Sequence, residues 1–195
     1  MKNFSPVRSQ GGFTLIELLL VLAIIAAIAV AAFIGYPRVQ AGRNATYEAQ
    51  VLSSAVAGAK AIFANGNYVN LDNQVAVNAE LFPKSMVDDA ATGSILNQWE
   101  GDVTIDGTDA AGAAPAGTTA RYMTIVYPNV PKDVCLRLGG AASQNFGRVA
   151  IGADAASATD VVNTFDTDGT NDVVDEAALS TTCVDGGNTM VFTSN

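Results

Sequence analysis

The sequence predicts an α+β fold in which one long N-terminal helix packs against a four-stranded antiparallel sheet. Two observations carry that expectation. Leu18 to Ile34 is an unbroken run of Leu, Val, Ile, Ala and Phe, and apolar residues at helical spacing continue behind it as far as Phe63. Beyond Asn65-Gly66-Asn67 the composition changes to short apolar stretches separated by Gly, Asn and Asp, the punctuation of strands and turns.

The helix is expected from Phe13 to Ala64. Its first half contains a 22-residue apolar segment, Phe13 to Ile34, about 33 Å long as a helix and therefore sufficient to cross a bilayer. In its second half Tyr47, Val51, Leu52, Ala55, Ala59, Ile62 and Phe63 recur at three and four, a stripe that can cover a head domain. Gly35 and Pro37 interrupt this pattern. Proline lacks the amide hydrogen and crowds the preceding turn, so a bend or local melting is expected there.

Strands are expected at Val103 to Ile105, Arg121 to Tyr127, Gly147 to Ile151 and Asn188 to Thr193. Asp106 to Thr119, rich in alanine and glycine, reads as a loop. Pro128 and Pro131 close the second strand, and Lys132 to Leu138 forms a short helix stopped at Gly139-Gly140. The organisation that results is a leader at 1–12, an apolar half-helix at 13–36, an amphipathic half-helix at 37–66 and a globular head at 67–195.

Composition narrows function. The chain has 195 residues, 10 basic and 19 acidic, a formal net charge of -9. Losing the first 12 residues removes Lys2 and Arg8 and leaves 8 basic against 19 acidic, or -11. Such a surface repels phosphate backbones, so no nucleic acid partner is expected. Histidine is absent, which removes the commonest general base and zinc ligand and every Ser-His or Cys-His catalytic arrangement. Neither enzymatic activity nor a cofactor is expected.

The informative charge is Glu17, at the mouth of the apolar run. A secretory signal or a plain anchor has no use for a carboxylate there, where entry into hydrocarbon is costly. Cleavage between Gly12 and Phe13 supplies a reason. It creates an α-amine at Phe13 that the Glu17 carboxylate of a neighbouring subunit can neutralise in apolar surroundings.

Gly12-Phe13-Thr14-Leu15-Ile16-Glu17-Leu18-Leu19, with the apolar run behind it, resembles the prepilin signal shared by type IV pilins and the pseudopilins of type II secretion. The resemblance implies that Gly12 ends the leader cut by a prepilin peptidase and methyltransferase, and that Phe13 becomes the N-methylated first residue. It also implies that Glu17 registers each subunit by pairing with a neighbour's Phe13 amine. Gly35 and Pro37 would then mark the helix break seen in filaments of this family.

The head sharpens the resemblance. Ile95 to Gly101 before a strand, Ile125-Val126-Tyr127, Pro131, Cys135 in a helix and a distant Cys183 are similar to type IVb pilins, whereas the short leader and Phe13 lean toward type IVa. The resemblance places Cys135 and Cys183 around an exposed C-terminal loop. Being the only two cysteines, on the oxidising side of a membrane, they are expected to form a disulfide, giving a disulfide-closed region at 135–183.

Within that region Asp166-Thr167-Asp168-Gly169-Thr170-Asn171-Asp172 alternates oxygen ligands, which makes Asp166, Asp168 and Asp172 calcium candidates. The glycine is fourth instead of sixth, so the EF-hand pattern fails and a solvated acidic surface is the plainer account.

The expected function is that of a major structural subunit of a type IV pilus, anchored in the bacterial inner membrane as a precursor and polymerised by an assembly machine into an extracellular filament of identical subunits. Adhesion, aggregation, motility or conjugation are the roles such filaments serve. The alternatives are a minor pilin or a type II pseudopilin, or a membrane-anchored calcium- or glycan-binding module.

Overall fold

The computed structural model describes residues 12–110, 112–115, 117–165 and 173–195; Asp166, Asp168 and Asp172 lie outside them. The chain divides into two compact units, residues 1–40 and 41–195. Helix α1, Leu15–Ile62, contributes to both.

In the first unit α1 is apolar on every side from Leu18 to Ile34. It starts on Thr14, whose Oγ1 accepts the Glu17 amide at 3.3 Å, satisfying one of the free amides of the first turn. The helix continues through Gly35 and Pro37 without a break in its assignment. Beside the proline, the Gln40 amide donates to the Tyr36 hydroxyl at 2.7 Å.

In the second unit α1 buries Ala41, Ala45, Glu48, Leu52, Ala55 and Ala59, a strict repeat of four and three, flanked by Val51 and Val56. Tyr47, Ile62 and Phe63, expected on the buried stripe, lie more toward its margin, and Tyr47 and Ile62 are exposed. Helix α2 (Asn73–Asn78) is capped by Asp72, whose carboxylate accepts the Val75 amide at 2.7 Å. A two-stranded ribbon, β1 (Val87–Asp89) and β2 (Ser94–Ile95), follows.

The main sheet contains β3 (Thr104–Thr108), β4 (Tyr122–Val130), β5 (Arg148–Gly152), β6 (Thr159–Asn163) and β7 (Asn188–Ser194), in the order β3-β4-β7-β5-β6. Every pair is antiparallel, as expected. There are five strands where the sequence predicts four. The additional one, β6, is an edge strand tied to β5 by Arg148 Nε on Asp160 Oδ1 at 2.7 Å, with Asn163 donating to Asp160 Oδ2 at 2.9 Å. The C-terminal strand β7 occupies the centre, and all seven of its residues are buried.

Three boundaries differ from expectation, each for a local reason. Strand β4 passes through Pro128 because the register shifts between Tyr127↔Met190 and Val130↔Asn188, a bulge that leaves the proline outside the regular ladder. Helix α3 (Lys132–Ala142) runs past Gly139 and Gly140. Gly139 is a contact residue there, since a Cβ on it would lie 2.6 Å from Leu179 Cδ1 of helix α4 (Glu176–Thr182). Strand β3 extends into the expected loop as far as Thr108, and its Gly107 lies against the backbone carbonyl of Tyr68 with no room for a Cβ.

That contact yields a prediction. Gly107→Ala must push the strand away from the Tyr68 segment, and overpacking of this kind costs about 1–3 kcal/mol. Thermal unfolding should show a Tm lower by roughly 3–10 °C; an unchanged Tm would mean that the segments separate freely.

The core joins the buried face of α1 to the sheet through Leu52, Ile105, Ile125, Tyr127, Met190 and Phe192, all essentially inaccessible. Across the sheet, Thr108, Thr124 and Thr193 form a hydroxyl ladder with oxygen separations of 2.7 and 3.0 Å. Cys135 on α3 and Cys183 at the end of α4 are disulfide-bonded, closing the C-terminal region.

Candidate assembly site

The most conspicuous surface is the start of α1. Its large apolar side chains from Phe13 to Val39 range from 46% exposed at Val21 to 84% at Phe13. An 18-residue window reaches a mean hydropathy of 3.0 with none of it buried. Water does not tolerate so much bare apolar surface, so lipid or other protein must cover it.

Gly12, Phe13 and Thr14 precede the helix in non-helical backbone, and a peptide bond after Gly12 lies in that exposed stretch. Glu17 sits in the first turn, exposed, where the positive end of the helix dipole favours a carboxylate. Its backbone amide is held by Thr14, whose carbonyl also accepts it at 3.1 Å. Thr14 is thus the N-cap residue of α1, a role not read from the sequence. The signal was present, because Thr14-Leu15-Ile16-Glu17 has the spacing of a capping box.

Alanines interleave the exposed apolar residues: Ala23, Ala26, Ala27, Ala29, Ala31 and Ala32. Small side chains let apolar helices approach closely, so this surface suits helix-on-helix packing as well as lipid. Among the described residues no group of three or more potential metal ligands converges.

The family description "PilS N terminal" matches residues 42–195, and "Prokaryotic N-terminal methylation motif" matches residues 7–33. This chain belongs to the type IV pilin family. Pilin membership accounts for both units, the apolar α1 start and the head built on the rest of that helix, and it fits a structural protein with no catalytic role.

Among solved structures, the pilin is similar to TcpA, a type IV pilin from Vibrio cholerae El Tor biotype. The TM-score is 0.53 at 15% identity, over 78% of this chain and 99% of that one. It is also similar to a type IV b pilin from Salmonella typhi, with a TM-score of 0.52 at 17% identity, over 75% of this chain and 97% of that one. Likeness at this identity concerns the fold. No curated protein matches the pilin by sequence.

Proposed function

We propose that this pilin is the major structural subunit of a type IV pilus, of type IVb-like head architecture. The observation that carries the proposal is the fully exposed apolar start of α1, bearing Glu17 as its one acidic residue, joined in sequence to a head with its own closed core. A head with its own core, on a helix that cannot remain bare, suits a repeating subunit.

In this account the bilayer covers residues 13–36 before assembly, holding the precursor in the bacterial inner membrane with the leader 1–12 on the cytoplasmic side. A prepilin peptidase and methyltransferase cuts after Gly12 and methylates Phe13. The assembly machinery then moves the subunit into a helical bundle of identical copies, where Glu17 neutralises the Phe13 amine of a neighbour. A head-to-tail contact of this kind does not close on itself and gives an open filament outside the cell. Gly35 and Pro37, helical in the subunit, are where the helix is proposed to unwind when neighbours pack around it, because Pro37 leaves one backbone carbonyl without its usual donor. Surface attachment, aggregation, motility or conjugation would depend on the head surface thus displayed.

Mass spectrometry of sheared surface material tests the proposal directly. An abundant chain beginning at methylated Phe13 is expected; trace amounts would point to a minor pilin, and retention of Met1 would rule out processing at this junction. A second expectation concerns the junction itself. Gly12→Val adds a branched side chain beside the scissile bond, so full-length precursor should accumulate in the membrane at the expense of nearly all of the mature form. Normal amounts of mature subunit on immunoblots would place the cut elsewhere.

A further inference from the structure

Glu48 is the one carboxylate on the buried stripe of α1, and it is completely inaccessible. Its Oε2 accepts a hydrogen bond from the Tyr127 hydroxyl at 2.8 Å, and Oε1 has no partner of hydrogen-bond geometry among the described residues. Tyr127 is itself fully buried on β4, with Met86 Sδ 3.9 Å from its hydroxyl and the Phe192 ring edge-on at 6.3 Å. Besides the Tyr127 hydroxyl, the Gln98 backbone amide from the turn before β3 faces the carboxyl, and Met86 from the segment before β1 and Tyr47 on α1 lie near the Tyr127 hydroxyl. None is a cation, and Glu48 takes part in no ion pair among the described residues.

A carboxylate in this setting loses its hydration and recovers only the Tyr127 hydroxyl bond and the pull of the Gln98 amide, whereas the neutral acid loses far less. We propose that Glu48 is carried as an uncharged carboxylic acid in the folded head and acts as a proton-operated latch between α1 and β4, closed when protonated and weakened when ionised. Burial raises the Glu48 pKa above its usual value, the opposing pull of Tyr127 and the Gln98 amide being smaller, and the Tyr127 hydroxyl is driven up in turn by burial and by Glu48.

The sign follows from linkage. The folded head retains a proton that the unfolded chain releases near pH 4.5, so the contribution to stability is complete below that pH and is lost as pH rises through the higher folded value. Ionisation then weakens the hold of α1 on β4, with opening expected at the turn of Gln98, whose amide faces the carboxyl.

The full chain in detergent micelles serves for the test, comparing wild type with Glu48→Gln, which keeps the shape and an acceptor for Tyr127 but does not titrate. The Tm of wild type relative to the variant should fall by about 4 °C or more between about pH 4 and about pH 8. In ¹³C NMR of wild type, one glutamate carboxyl resonance, absent from the variant, should titrate above the ordinary carboxylate range. Amides near Gln98 should lose protection with pH beyond the change in the variant. Parallel Tm curves, or a Glu48 carboxyl that titrates in the ordinary range, overturn the latch. Where the variant fails to fold, the wild-type titration alone decides.

Discussion

Glu17→Ala should leave the pilin inserted in the membrane and processed, yet abolish surface filaments. Alanine is at least as good a helix former as glutamate, the Glu17 side chain is exposed in the subunit, and Thr14 can still cap the backbone amide at that position after the substitution. Nothing in the fold of the monomer therefore depends on the carboxylate. The assembled filament is where its loss acts. There the Phe13 amine of a neighbour would be surrounded by the leucines, isoleucines and alanines of adjacent helices, and removing one partner of a buried pair costs about 3–5 kcal/mol. That is a factor of at least about 100 at each addition, and polymerisation repeats it at every subunit. Sheared filament measured against membrane-held mature subunit provides the readout: the first should drop below detection while the second persists. Filaments of normal abundance from this variant would show that the carboxylate does not register the subunits.

Replacing Cys135 and Cys183 together by serine should destabilise the head by about 4 kcal/mol. The bond closes a cycle with a sequence separation of 48, for which loop entropy alone gives about that value. Both positions are buried, so the variant also leaves two hydroxyls away from water. The enclosed segment contributes β5, β6 and α4, and β6 has a neighbour on one side only. Leu138, Phe146, Val149, Ile151, Val161, Val162 and Leu179 are the large apolar side chains that anchor this segment, and the covalent closure adds to their hold. The expected fall in Tm is about 10 °C, measured by thermal unfolding of the oxidised wild type against the double variant. A fall below about 2 °C would mean that sheet pairing alone holds the region.

How far the sequence reaches is clear from particular elements. The apolar run, the stripe behind it and the strands at 122–127, 148–151 and 188–193 are local patterns, and local patterns are what periodicity reports. Strand β6 escaped because Thr159-Asp160-Val161-Val162-Asn163 offers only two apolar residues, its hold on β5 coming instead from the Arg148–Asp160 pair. Helix α4 escaped because it is so short, seven residues, although Asp175, which accepts the Ala177 and Ala178 amides at 2.9 Å, was a legible cap. Glu48 was legible too, since the spacing 41-45-48-52-55-59 puts it on the buried stripe; Tyr47, a larger and more apolar neighbour, drew the assignment one position away.

By itself the sequence determined that a bare apolar helical segment follows a glycine, carries one acid near its start, and leads into an α+β head with two cysteines able to pair. Apart from the pairing of the cysteines, each of these is set by residues close together in the chain. Only the tertiary structure decided that the last strand lies at the centre of the sheet, that Pro128 is absorbed in a bulge, that Gly139 and Gly107 are contact points, and that Glu48 meets Tyr127 in the core. Those outcomes depend on which distant segments come together, and the energy of bringing them together is shared over a whole core that no local window of sequence contains.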